Sequence, residues 1–476
     1  MRMGAEEFQG LSREDLAAVV LRQARQIENQ ARQIEELRAE NRRILGLLEE
    51  ARRAGRRQAG PFSKGPPKTG PKPPGRKPGK DHGPSHFRAA PGAVDEEHDA
   101  PLPAECPRCG GGVVLERVEE QFQTEIPVVR PVRRRFRVRV GRCRKCRRRV
   151  QGRHPLQTSD ALGAAASQLG PNALALAAHL HGAMGASFGK VRGFFDRVLG
   201  VRVSRGGLAL GLQRIARQAE PTYEGLIETI RRSAAVYPDE TGARVNGELW
   251  WLWAFTTPET TVYAQRPCRG FAVIEEVLGR DYAGRVCHDG WAPYDDLLEA
   301  FHQQCLAHPL ARIKEMLETA PRGARGFLKA VKRLFQDALD LRDRHLAGEV
   351  SAHGLAVARG RLGARQGELF SRGLRYGPSR TFQKHLRRHC NEWLAFLWCP
   401  RELEATNWRA EQAIRPAVIF RKMSGGHRSG RGARTHDVLT SVLRTAAQRG
   451  ADALDLFGRM LRAPHPVALT IAPRGP

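Results

Sequence analysis

The chain has 476 residues, 41% of them hydrophobic, which suits a soluble protein of two to four domains with a large buried core. Its charge is unusual: 79 Lys and Arg against 50 Asp and Glu leave a formal net charge of +29, so the expected partner is a polyanion. No apolar run has the length of a membrane span, and Glu6 and Glu7 stand where a secretory signal needs an apolar core, which favours nucleic acid in the cytoplasm over a lipid surface.

Residues 12–53 lack proline and place Val20, Ile27, Ile34, Asn41 and Leu48 seven apart, with Leu16, Leu37 and Ile44 at the companion positions. This is a coiled-coil register, weakened by Gln23 and Gln30, and it predicts a homo-oligomer. From Ala51 to Lys80 there are ten Lys or Arg, seven Pro, six Gly and no acid. Such a composition cannot bury a core, so residues 54–100 are expected to be a disordered basic linker.

Residues 101–155 form a module bracketed by Cys106-x-x-Cys109 and Cys143-x-x-Cys146, out of nine cysteines in all. In a reducing compartment two such pairs predict one structural zinc ion held by four thiolates, since so short a module has little core of its own. Between them Arg135, Arg137 and Arg139 alternate with Phe136, Val138 and Val140, which predicts a strand with one apolar face and one arginine face for DNA. Residues 165–233 read as three helices, over 172–181, 190–199 and 204–220, with Ser204 as an N-cap; a helix-turn-helix is one reading of them.

The run from Val236 to Gly242 and the aromatic run from Glu248 to Phe255 predict a hairpin that delivers a carboxylate from the middle of a sheet. Of its two acids, Asp239 is favoured over Glu240, which alternation sends to the other face. A third strand over 260–265 and a helix over 271–278 follow. Then the short run ending in Cys287-His288-Asp289-Gly290 sets a second acid at a strand end, with Trp291 to Tyr294 opening another helix. Here the sheet signal stops. Residues 303–402 read as an all-helical insertion, opened by Cys305 and His308, for which a structural role outweighs a metal site. A last helix over 407–416 sets Asn407, Glu411 and Arg415 four apart on one face, and the basic, glycine-rich segment 424–432 reads as a flexible loop for phosphates. Three carboxylates suit two hard cations, Mg²⁺ or Mn²⁺, in phosphodiester chemistry.

The order Asp-Glu-Thr, Asp-Gly-x-x-x-Tyr, C-x-x-H, Thr-Asn-x-x-x-Glu-x-x-x-Arg-Pro and Arg-Lys-x-Ser-Gly-Gly resembles the DDE transposases of the IS66 insertion-sequence family. The N-terminal coiled coil, basic linker and four-cysteine module stand in that family's order too, so the resemblance covers nearly the whole chain. It implies a multidomain protein whose α/β RNase H-like catalytic core is divided into 234–302 and 403–450 by the insertion, with a C-terminal tail over 451–476. It also implies a catalytic and metal-binding triad of Asp239, Asp289 and Glu411, and DNA contacts by Arg415, Arg421 and Lys422; Arg428, in the glycine-rich segment, is expected to meet phosphates on its composition. The expected activity is hydrolysis at the element ends and strand transfer into target DNA, in the cytoplasm of a bacterium and associated with its nucleoid, with element-encoded accessory proteins as further partners. A silent repressor-like derivative and a structure-specific nuclease are the alternatives.

Overall fold

The computed structural model describes residues 90–157 apart from 128, residues 168–472, and part of 12–40. Most of the basic linker, with Leu16, Gln23, Leu37, Asn41, Ile44 and Leu48, lies outside the described residues. The chain divides into two compact units, 1–124 and 125–476. In the first, the described residues between 13 and 40 are helical, and Val20, Ile27 and Ile34 are 62, 65 and 50% exposed.

The second unit opens with a short hairpin, β1 (Val140–Arg142) and β2 (Arg149–Gln151), paired antiparallel. The expected arginine strand is shorter than its alternation suggests. Residues 131–139 are not a strand, although Phe136 and Val138 are half-buried while Arg135, Arg137 and Arg139 stand exposed. The Phe136 ring meets that of His154 at 5.4 Å, and the Arg139 carbonyl accepts the Gly152 amide at 2.9 Å.

Three helices follow: α1 (Pro171–Ala178), α2 (Phe188–Arg197) and α3 (Arg205–Arg231). Ser204 caps α3, accepting from the Gly207 amide at 2.9 Å. The helix runs eleven residues past its expected end at Glu220, straight through Pro221. Leu212, Ile215, Ala219, Tyr223, Leu226 and Ile230 form one buried stripe at helical spacing on both sides of that proline, and their burial outweighs one lost backbone bond. All three helices pack into the same core as the sheet.

The sheet consists of β3 (Ala235–Val245), β4 (Glu248–Thr256), β5 (Thr261–Arg266), β6 (Arg285–His288) and β7 (Phe301–Gln304), in the order β5-β4-β3-β6-β7. The β3–β4–β5 pairings are antiparallel; those of β3 with β6 and β6 with β7 are parallel. Helix α4 (Phe271–Leu278) falls where the sequence places it, whereas residues 292–296 make only a 3₁₀ turn. Strand β7 extends the sheet beyond the expected stop. Its sequence, Phe-His-Gln-Gln, carries no apolar alternation, because the buried Gln303 and Gln304 serve as hydrogen-bonding groups: Gln303 takes the Phe396 amide at 2.8 Å.

One face of the sheet, with Val236, Trp253, Phe255, Val262 and Val286, joins the core shared with α1–α4, α10 (Gly430–Gln448) and α11 (Ala453–Arg462). On the other face Ala243, Leu252, Ala254 and Tyr263 meet Ala413 and Ile414 of α9 (Trp408–Ser424), while Ala235, Tyr237 and Cys287 meet the insertion. The insertion comprises α5 (Ala307–Thr319), α6 (Arg325–Leu346), α7 (Ala352–Ser371) and α8 (Gly377–Arg388), closed over Phe335, Phe382, Trp393 and Phe396.

Helix α10 lies along the outer edge of β5. Asp437, Ser441 and Thr445, four apart, accept the backbone amides of Gln265, Tyr263 and Thr261 at 2.9, 2.8 and 3.1 Å. A polar stripe on one helix thus occupies the outward N–H groups of an edge strand, which would otherwise be open to pairing with another chain. The expected C-terminal tail belongs to this assembly. Asp452 caps α11, which buries Leu456, Phe457, Met460 and Leu461, and the Thr222 hydroxyl bonds the Val467 carbonyl.

Candidate active site

The site lies where β3 and β6 part. Ala235 pairs with Arg285 and Val236 with Val286, after which the ladder ends. The same offset carried three residues further sets Asp289 level with Asp239. Pro238 fits this fork: its missing N–H would point to the side that β6 has left, and its carbonyl, on that same side, accepts from Asn407 Nδ2 at 2.6 Å. Asp239 follows, half-buried, its Oδ1 accepting the Glu240 amide at 2.9 Å. Burial, then the negative charges of Glu240 and Asp289, push its carboxyl up to about 7.

Glu240 takes the opposite face, as alternation requires. Its side chain is 1% exposed; Arg269 Nη2 reaches its Oε1 at 2.7 Å, and the Tyr294 hydroxyl donates to its Oε2 at 3.1 Å. The guanidinium of Arg269 is itself sandwiched, 4.7 Å from the Trp251 ring centre and 3.9 Å from that of Trp291. Trp291 also sends its amide to Asp289 Oδ1 at 3.0 Å, so the clamp on Glu240 fixes the turn that carries Asp289. Gly290 adopts a left-handed φ of 84°, and a Cβ there would stand 2.6 Å from Gln304 Oε1, so this turn requires glycine. Arg269 has no motif around it that would have marked it in the sequence.

Cys305 and His308 lie beside the acids. The Cys305 amide bonds the His288 carbonyl at 2.7 Å, and its sulfur accepts the Asn407 amide at 3.1 Å. His308 is held up to about 9, first by its hydrogen bond to Cys305, with Asp289 and Glu411 adding to the shift. One histidine thus senses both acids from opposite ends of the insertion. Asn407 is 2% exposed and joins α9 to β3 directly before Asp239; its role is this tether, whereas the sequence suggested a flank for Glu411.

Glu411 stands exposed in the first turn of α9, where the helix dipole favours an acid. Arg415, Lys422 and Arg428 are exposed as well, whereas Arg421 turns back on β3, with Nη1 3.5 Å from Thr241 Oγ1. The expected flexible loop over 424–432 is a short, stitched turn. Helix α9 runs to Ser424, α10 begins at Gly430, and His427 pairs with β3 through its amide to the Arg244 carbonyl at 2.8 Å and its carbonyl to the Asn246 amide at 2.8 Å. Gly426, at φ 102°, passes so close that a Cβ would meet Arg244 O at 2.4 Å.

Among the described residues no three or more His, Cys, Asp or Glu are gathered as a ready metal cage. The donor chemistry nevertheless suits a hard cation. Asp239, Asp289 and Glu411 offer oxygen alone, and burial, with the charges of Glu240 and Asp289, keeps the Asp239 carboxyl raised although His308 partly offsets them. The two cysteine turns repeat one local pattern. Cys106 donates to the Gly111 carbonyl at 2.8 Å and accepts from the Gly110 amide at 2.9 Å; Cys143 donates to the Arg148 carbonyl at 2.8 Å and accepts from the Arg147 amide at 2.9 Å. Gly110 and Arg147, at the same offset, both have positive φ, 71° and 61°. The backbone amides of Arg108 and Cys109 lower the Cys106 thiol, and those of Cys146 and Lys145 lower Cys143, which favours thiolates.

A five-stranded mixed sheet, flanked by helices and presenting acids where its central strands separate, fits the core of a DDE transposase. Residues 166–435 match the family model described as "Transposase IS66 family". The chain belongs to that family and is a DNA transposase. No curated protein matches it in a sequence comparison. No helix among the described residues is long and apolar enough to cross a membrane.

Proposed function

We propose that this transposase hydrolyses a phosphodiester at the ends of an insertion sequence and joins the freed 3′ end to target DNA, using Asp239, Asp289 and Glu411 in an RNase H-like core. The observation that carries this reading is the juxtaposition of Asp239 with Asp289 at the β3–β6 fork, where burial and then the charges of Glu240 and Asp289 push the Asp239 carboxyl up to about 7. Asp239, Asp289 and Glu411 would hold two Mg²⁺ or Mn²⁺ ions, which supply an activated water and stabilise the leaving oxygen. Asn407 sets the distance between α9 and Asp239, and the Arg269 clamp sets the Asp289 turn. Arg415, Lys422 and Arg428, exposed, would take phosphates, and Arg421 would do so from beside β3, where it reaches Thr241 Oγ1 at 3.5 Å.

Around this core, Cys106, Cys109, Cys143 and Cys146 are proposed as ligands of one structural zinc, on the strength of the two matching turns. Arg135, Arg137 and Arg139 would grip DNA, α2 and α3 would supply a helix-turn-helix, and the Val20–Ile27–Ile34 stripe would pair with a second copy.

The test is nicking and joining of a supercoiled plasmid bearing candidate element ends, with Mg²⁺ or Mn²⁺, at equal DNA occupancy. Asp239→Asn, Asp289→Asn and Glu411→Gln are each expected to abolish cutting while gel-shift binding persists. Cutting without joining would favour the nuclease reading. Binding without cutting, across all metals and with accessory proteins supplied, would favour the silent repressor.

A further inference from the structure

Helix α8 of the insertion has a solvent face made of cations. From Arg372 to Arg388 the chain carries six Arg or Lys and no acid. Ser379, Phe382, Gln383 and Leu386 are buried against the insertion core, which leaves Arg380, Lys384, Arg387 and Arg388 exposed. Arg388 is spoken for, bonded to Asp295 Oδ2 at 2.8 Å in the 3₁₀ turn that follows Asp289 and Trp291. Arg380, Lys384 and Arg387 enter no ion pair among the described residues, and they span roughly 10 Å at 1.5 Å per residue.

This face connects to the acids. Arg312 lies one turn beyond His308 on α5, and its guanidinium sits 5.1 Å from the ring centre of Phe382 on α8. Cys305, which leads into α5, bonds the His288 carbonyl beside Asp289 at 2.7 Å, and its sulfur accepts, at 3.1 Å, the Asn407 amide at the start of the helix that carries Glu411. A route of positive charge therefore leaves the carboxylates along α5 and continues across α8. A run of cations is ordinarily no more than a solvated helix face. Here it begins beside the acids, and one end is anchored to the loop that positions one of them.

We propose that Arg312, Arg380, Lys384 and Arg387 form a DNA surface that takes the phosphate backbone of a duplex as it leaves the carboxylates. The insertion is then a second grip on DNA, separate from Arg415, Lys422 and Arg428. This rests on the phosphoryl-transfer reading for its direction, not for its test.

The test measures binding of the full chain to a random-sequence 40-base-pair duplex with no Mg²⁺ or Mn²⁺ added, so that no strand is cut, across a series of salt concentrations. Each phosphate contact contributes about 0.9 to the slope of log affinity against log salt. Replacing Arg380, Lys384 and Arg387 together by Ala is expected to lower the slope by about 2 to 3. Replacing Lys329, Lys332 and Arg333 of α6 removes the same charge from another exposed stretch of the insertion, and should change the slope by less than about 1. Equal losses from the two triples would reduce the effect to net charge and overturn the proposal, as would an unchanged slope in the α8 triple. If that triple melts early, Lys384→Gln alone replaces it, with an expected drop of about 1. Loss of nicking in Asp239→Asn leaves these slopes as they are, so the face and the triad fail separately.

Discussion

The outer edge of the sheet and its central fork treat buried acids in opposite ways. At the edge, Asp437 is fully buried yet accepts the Gln265 amide and side chain at 2.9 and 3.1 Å and has Arg266 within 3.4 Å. At the fork, Asp239 receives one backbone amide and faces two further acids. Burial pushes both carboxyls up to about 7, but only the edge acid is surrounded by donors. An acid enclosed by donors holds the fold together, whereas one that faces two acids, offset only by His308, suits a bound cation. The difference supports the proposal that the fork carries the chemistry, and it makes the edge a joint.

Exchanging the acids for amides should widen that difference. Asp239→Asn is expected to lower plasmid nicking by a factor of a thousand or more while leaving the melting temperature in EDTA unchanged or raised, since it relieves like-charge repulsion. Asp437→Ala should do the reverse. It strands the Gln265 amide and leaves Arg266 with Glu276 alone, at about 3 kcal/mol or more, so the protein melts earlier and loses activity only as it unfolds. Ser441→Ala, which frees one edge amide, should cost about 1 to 2 kcal/mol.

A third group lies beside β5 and the hairpin end of β3. His181, His427 and His436 surround Phe420, with ring centres 5.0, 5.6 and 4.6 Å from it. Burial lowers all three, His427 to about 4. A histidine whose folded pKa lies below its unfolded value of about 6.5 contributes stability that is complete above that pH and is lost as pH falls towards 4. The melting temperature should therefore drop by several degrees over that window, and His427→Gln should flatten the profile. The smallest effect is expected at the second cysteine turn. Arg147→Gly removes a strained left-handed residue at a cost the first turn avoids with Gly110, so retention of the proposed zinc against a chelator should improve by a few-fold.

Much of the fork was legible in the sequence because its determinants are local. Alternation alone assigned Asp239 and Glu240 to opposite faces, and an acid before Gly290 marked the end of a strand. Ser204 at the start of α3 and the span of α4 were legible for the same reason. Strand β7 was not, because its buried residues are glutamines with distant partners: Gln303 bonds Trp393 and Phe396, and Gln304 bonds Glu392, about ninety residues away. The length of α3 was hidden by Pro221, since a proline's local cost is visible in the sequence and the stripe packed on either side of it is not.

The edge joint shows the same limit. Asp437, Ser441 and Thr445 form a polar stripe at helical spacing, a pattern that by itself reads as a solvated face; only the approach of β5 makes them acceptors for three backbone amides. The sequence by itself determined the basic character, the two cysteine turns and the identity and order of the acids, since charge, spacing and turn chemistry are properties of short segments. The tertiary structure decided which acids are compensated, that His308 senses Asp289 and Glu411 together, and that α8 turns its cations outward. Those outcomes depend on groups brought together across many residues, and burial and Coulomb energies are set by distance in space.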